Sequence, residues 1–206
     1  SSAASDVYKR QELSEPNSFV YYRIAKCYIK INNKKLFIDF IKKSVREEPG
    51  NEKAWIFLIK YYLKNNNFRQ AKYLSSKALI NNHNSIKILR LNAIIHKEIG
   101  DTREAIKFYN QILDFKENLS WKIWKGLLIC LIDNKEWSEL LRTSLKAKKH
   151  YPNKAFLDFI ISGCLLKNGK INEAIYFYQS GKKTCQVPEK LIKYFPEFNE
   201  NKTLLV

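Results

Sequence analysis

Three histidines and four cysteines are the side chains in this 206-residue chain best suited to nucleophilic, acid–base or metal chemistry. Their spacing assembles none of these. Cys27, Cys130, Cys164 and Cys185 form no C-x-x-C pair and no zinc-like spacing, so neither a metal knuckle nor a redox motif is indicated, and a reducing compartment fits best. His83 and His150 fall at hairpin ends and His96 at an inward helical site, where a structural histidine is the expected reading. No G-x-x-x-x-G-K-S/T, G-x-G-x-x-G or H-E-x-x-H string occurs. A non-catalytic chain with no cofactor is expected.

The remaining chemistry is charge. Lys and Arg number 37 against 20 Asp and Glu, a formal net charge of +17, which favours acidic partners, whether nucleic acid, anionic membrane or acidic protein segments. A competing reading attributes part of this basicity to genome base composition, because Lys, Asn, Ile, Tyr and Phe, all with A/T-rich codons, are abundant together. No apolar run approaches the roughly 18 residues of a membrane span. The run from Trp124 to Ile132 is interrupted by Lys125 and closed by Asp133.

The elements that must position these residues are helices. Gly and Pro number only 6 and 5, little material for tight turns, and 45% of residues are apolar, enough for one folded unit. A period of 34 runs through the chain. Phe37, Ala71, Ala105, Leu140 and Ala174 are spaced by 34, 34, 35 and 34, and so are Tyr21, Trp55, Leu89, Trp124 and Asp158. Apolar residues three and seven further on complete a helical stripe: Ile24 and Tyr28, Leu58 and Tyr62, Leu127 and Leu131, Ile161 and Leu165. Asn92 and His96 make the third repeat its weakest point. Cys27, Cys130 and Cys164 share one repeat phase and are read as small hydrophobes in helix contacts. Cys185 lies outside that series.

These residues resemble the tetratricopeptide repeat (TPR) family over roughly residues 17–187. The strongest first helix is Trp55 through Tyr62. The strongest second helices are Gly100 through Tyr109 and Gly169 through Tyr178, and Pro49 and Pro152 stand at repeat ends. Phe37 and Leu140 replace the family's small residue, and Ile59 and Leu128 are bulky where a small mid-helix residue is usual. The resemblance implies an all-α fold, an α-solenoid of about five helix-turn-helix repeats at about 18–51, 52–85, 86–120, 121–154 and 155–187, with first helices lining a concave face.

It also implies ligand-facing places in each first helix. Projected onto this sequence they give Phe19, Tyr22, Lys26 and Lys30; Lys53, Ile56, Lys60 and Lys64; Lys87, Arg90 and Lys97; Lys122 and Lys125; then Phe156, Phe159 and Lys167, with Glu98 and Asp133 the only acids. The candidate ligand groove is therefore Tyr22, Lys26, Lys30, Lys53, Lys60, Lys64, Lys87, Arg90, Lys97, Lys122 and Lys125. A basic, aromatic lining suits an acidic, extended peptide; a solvated lysine face is the plain alternative. Tyr22 and Lys26 replace the Lys and Asn of the family's carboxylate clamp, so chaperone-tail binding is not expected.

The expected function is a protein-interaction scaffold or adaptor. A nucleic-acid partner is the rival, without an RNA-binding motif to support it. The non-catalytic repeat region of a larger glycosyl- or sulfotransferase is the alternative from another class. There is no methionine, and Ser1 through Gln11 resemble a translated sequencing-adapter string, so residues 1–11 are read as a non-native leader with the natural N-terminus missing. Residues 188–206 are expected to form a short capping helix and a frayed tail, and the compartment is expected to be cytoplasmic.

Overall fold

The computed structural model describes residues 17–115 and 119–199; residues 1–16, including the leader-like string, and the end of the tail at 200–206 lie outside them. The fold is all-α, a solenoid of helix-turn-helix repeats. Among the described residues there are eleven α-helices, one 3-10 turn and no strand. In order they are α1 Ser18–Lys30, α2 Lys34–Glu47, α3 Glu52–Lys64, α4 Phe68–Asn81, α5 Ile86–Glu98, α6 Thr102–Phe115, α7 Trp121–Asp133, α8 Trp137–His150, α9 Ala155–Lys167, α10 Ile171–Lys182 and α11 Glu189–Tyr194, with the 3-10 turn at Pro196–Phe198. Instead of the single unit expected, the chain divides between Ile99 and Gly100 into two compact units, so the third repeat is cut at its inter-helix turn. A repeat array has no central core, and compactness within it is local.

The turn inside each repeat has one backbone solution. Asn32, Asn66, Gly100, Lys135 and Gly169 all take positive φ, between 55° and 85°, and each stands five residues before the Phe37, Ala71, Ala105, Leu140 and Ala174 series. A left-handed residue closes the first helix and reverses the chain. Glycine and asparagine tolerate this conformation, whereas Lys135 bears the usual steric cost.

In the first unit the helix starts are written in short polar side chains. The Oδ1 atoms of Asn17, Asn33, Asn51 and Asn67 accept from Val20, Leu36, Ala54 and Gln70 amides, and Ser85 Oγ accepts from Ile88. Asn51 also donates through Nδ2 to Ser18 Oγ at 2.7 Å, and Ser18 and Ser44 hydroxyls donate to each other's carbonyls at 2.9 and 2.8 Å. One polar knot thus ties α1, α2 and α3. Beneath it lies a core of Ala25, Phe37, Ile41, Trp55, Leu58, Ile59, Ala71, Leu74 and Ile88. Phe37, bulky where the family is small, is fully enclosed, with its ring 5.3 Å from Phe57 and 4.7 Å from Tyr61. Asn92, the weak point of the stripe, is buried and satisfied: its Oδ1 accepts from Ser75 Oγ at 2.9 Å and its Nδ2 donates to the Ile88 carbonyl.

In the second unit α7 to α11 start without a side-chain cap, and packing has to define them. Helix α9 is buried almost continuously from Leu157 to Leu165. Asp158, the polar member of its repeat series, is buried because Lys148 Nζ lies 2.7 Å from its carboxylate. Glycines mark close approaches: a Cβ at Gly126 would lie 2.2 Å from the Tyr109 hydroxyl.

The cysteine reading needs one correction. Cys130 and Cys164 are buried, but Cys27 is exposed. Helices α3, α5, α7 and α9 each pack on the second helix before them, while among the described residues no helix precedes α1. Val20 shows the same effect, being 39% exposed where Ala54, Ile88, Ile123 and Leu157 are buried. Burial pushes the Cys164 thiol up to about 12.

Three outcomes follow from this packing. Ala105→Trp, at a fully enclosed contact, lowers the unfolding free energy in urea titration by at least about 1 kcal/mol. Lys135→Gly raises it by about 0.5–1 kcal/mol by relieving the left-handed strain. With a disulfide reagent at pH 8, Cys27 and Cys185 react rapidly, and Cys130 and Cys164 react only after denaturation.

Candidate functional site

The basic places projected from the sequence fall on first helices of both units. Tyr22, Lys26 and Lys30 are on α1, Lys53, Lys60 and Lys64 on α3, and Lys87, Arg90 and Lys97 on α5, all in the first unit; Lys122 and Lys125 are on α7 in the second. Within the first unit α3 packs against α5 as well as α2 and α4. Tyr22 reaches α3, its ring 5.9 Å from Phe57, and Lys26 Nζ lies 5.6 Å above the Tyr22 ring.

The charges on this face are unequally engaged. Lys87 Nζ is 3.7 Å from Glu52 and Lys97 Nζ is 3.9 Å from Glu98, both solvent-accessible pairs of little worth. Lys53, Lys60 and Lys64 are exposed, and among the described residues none has a carboxylate within ion-pair distance. Arg90 differs from all of them. Its Nε is buried and has no hydrogen-bond partner among the described residues, an arrangement that leaves a charged donor short of an acceptor.

In the second unit the first-helix face is not open. Phe156, Phe159 and Lys167 were expected to line a groove, but Phe159 is fully enclosed, with Tyr178 and Phe198 rings at 6.0 and 6.3 Å. The covering element is the chain's own Tyr194–Phe198 segment. Phe195 is fully buried over Gly163, where a Cβ would come within 2.4 Å of its ring. The Tyr194 hydroxyl donates to Asp133 at 2.5 Å, and this bond raises its pKa above the usual phenol range. Lys167 Nζ is 3.6 Å from the Glu197 carboxylate and sits 4.9 and 5.6 Å above the Trp137 and Phe195 rings. Asp133, Phe159 and Lys167 are all projected ligand-facing places, and the segment touches each. Lys125, by contrast, remains exposed, with its Nζ 5.7 Å above Phe156.

Sequence reasoning placed residues 188–206 only as a modest cap and missed this self-contact. A signal existed in Gly163, inside α9, because a mid-helix glycine costs helix stability unless something must come close. Gly163 seats Phe195 and Gly181 seats Phe159. His96 is buried on α5, His83 is exposed, and His150 stacks on Trp124 at 5.8 Å. Among the described residues no three of His, Cys, Asp or Glu are grouped to hold a metal ion, and no helix is long and apolar enough to cross a membrane.

The comparisons agree with this architecture. The family described as Tetratricopeptide repeat matches residues 20–51. A solved structure of MamA protein superposes with a TM-score of 0.68 at 13% identity, covering 90% of this chain and 95% of that one. YrrB, titled a TPR protein with an unusual peptide-binding site, gives 0.67 at 14% identity over 96% of this chain and 95% of its own. MamA from Desulfovibrio magneticus RS-1, residues 41 to the end, gives 0.64 at 9% identity over 81% and 93%. No curated protein matches. These likenesses are of fold, and the tetratricopeptide repeat model matches the first repeat, whose spacing and left-handed turn recur along the chain.

Proposed function

We propose that the chain is a non-catalytic interaction scaffold whose basic first-helix face in the first unit, on α1, α3 and α5, holds an extended peptide segment carrying carboxylates beside aromatic side chains. The tetratricopeptide-type fold and the matched first repeat support a protein-interaction scaffold in general; the peptide and its chemistry are the proposal. The observation that carries it is the chain's own Tyr194–Phe198 segment, which lays two phenylalanines and a carboxylate on α9, with Lys167 serving both the carboxylate and the rings. By repeat spacing, Lys30 and Lys64 hold the place of Lys167, and Tyr22, Ile56 and Arg90 hold that of Phe159. The Arg90 Nε, which has no hydrogen-bond partner among the described residues, supports a face short of an acceptor. Free thiols at Cys27, Cys164 and Cys185 accord with a reducing, cytoplasmic setting.

The test is fluorescence anisotropy of the full chain with a labelled Glu-Tyr-Phe-Pro-Glu-Phe-Glu peptide at low salt, beside a labelled single-stranded RNA. Lys60→Glu combined with Arg90→Glu is expected to weaken the peptide about tenfold or more, and added salt to weaken it further. Unchanged peptide affinity in that double variant sinks the basic-face reading, and preferential binding of the RNA moves the chain to nucleic-acid partners.

A further inference from the structure

The first unit carries a second recess, on its second-helix side and sharing no residue with the face above. It lies between α2 and α4, has a volume of about 450 Å³, and is floored by Val45, Trp55, Leu58 and Leu74. Tyr73 and Ile80 of α4 stand on its wall, 53% and 76% exposed. Lys42, Arg46 and Lys77 edge it, no carboxylate is among its described lining residues, and Lys77 Nζ sits 4.6 Å above the Tyr73 ring.

The other repeats act as internal controls. At the place of Ile80 the remaining second helices have Arg46, Asp114, Lys149 and Lys183, all charged, as a solvated helix surface requires. At the place of Asn81 the fourth repeat has His150, which stacks on Trp124 at 5.8 Å. In the second repeat the shorter Asn81 stands there and Trp55 instead floors the recess. So, among the described residues, α4 alone combines an exposed aliphatic side chain with an unstacked tryptophan beneath it, edged by Lys42, Arg46 and Lys77. An exposed apolar site with this charge is complementary to one kind of surface, apolar residues flanked by acids.

We infer that the α2–α4 recess is a second docking site, taking an acidic amphipathic peptide segment that inserts one large apolar side chain over Trp55 and sets carboxylates against Lys42, Arg46 and Lys77. It is independent of the first-helix face, and the two can be occupied together. The indole Nε1–H of Trp55 already donates to the Pro49 carbonyl at 2.8 Å, so the incoming side chain needs no polar group to satisfy it. Specificity comes from apolar fit at the floor and charge at the rim.

The experiment titrates the full chain into a fluorescein-labelled Glu-Glu-Asp-Leu-Leu-Glu-Glu-Phe-Leu-Asp-Glu peptide. It uses wild type, the exposed-site variant Lys77→Glu/Ile80→Glu, and Lys60→Glu/Arg90→Glu. The Lys77→Glu/Ile80→Glu chain is expected to lose about tenfold or more in affinity with an unchanged thermal midpoint, while the other variant keeps most of it. A control peptide with Leu and Phe replaced by Ser is expected to bind about as weakly as that variant. Loss only in Lys60→Glu/Arg90→Glu would place the peptide on the first-helix face and overturn this inference alone, leaving the first reading intact. Equal affinity in all three chains, or no binding to wild type up to about 1 mM, would also overturn it.

Discussion

Covering the apolar stripe of each first helix is the constraint on which the rest of this chain depends. A hairpin of two short helices cannot bury that stripe by itself. In α3, α5, α7 and α9 the helix before supplies the cover, and Ala54, Ile88, Ile123 and Leu157 are buried accordingly. At α1, which no helix precedes among the described residues, Val20 and Cys27 of the same phases are exposed. At α9 further cover comes from Phe195 and Phe198, delivered by the segment that runs from α11 through the 3-10 turn.

That covering segment combines apolar packing with charge pairing. An aromatic side chain on a helix face excludes water over a large area, and a carboxylate beside it meets a lysine already poised over the rings. Phe195 over Gly163 and Glu197 beside Lys167 therefore serve as packing and as an example of what a first-helix face can hold. On the first unit the corresponding places are richer in cations and include an enclosed donor at Arg90. On the second-helix side, Ile80 and Trp55 break the pattern of solvated charge that the other repeats keep. The same 34-residue framework thus positions two chemically different faces by varying a few side chains at fixed places.

Much of the architecture was legible in the sequence because it repeats. The Ala71, Ala105 and Ala174 series located the buried hairpin contacts, all fully enclosed. The recurrent left-handed turn was also visible in part, as Gly100 and Gly169, but Asn32, Asn66 and Lys135 hid it because residue type alone does not announce positive φ. What periodicity could not supply was anything that breaks the repeat. Cys27 shares a phase with Cys130 and Cys164 yet is exposed, on a helix that no other precedes among the described residues. Phe159 and Lys167 looked open because the element that covers them comes from outside the repeats. The division at Ile99 and Gly100 likewise has no marker in the 34-residue spacing.

The most direct test of the central claim is a nitrogen-15 chemical-shift map of the 24.4 kDa chain during titration with the Glu-Tyr-Phe-Pro-Glu-Phe-Glu peptide. The largest changes are expected on α1, α3 and α5, with the Arg90 Nε–H resonance moving as it gains an acceptor. Changes confined to α2 and α4, or an Arg90 signal that stays in place at saturation, would contradict it.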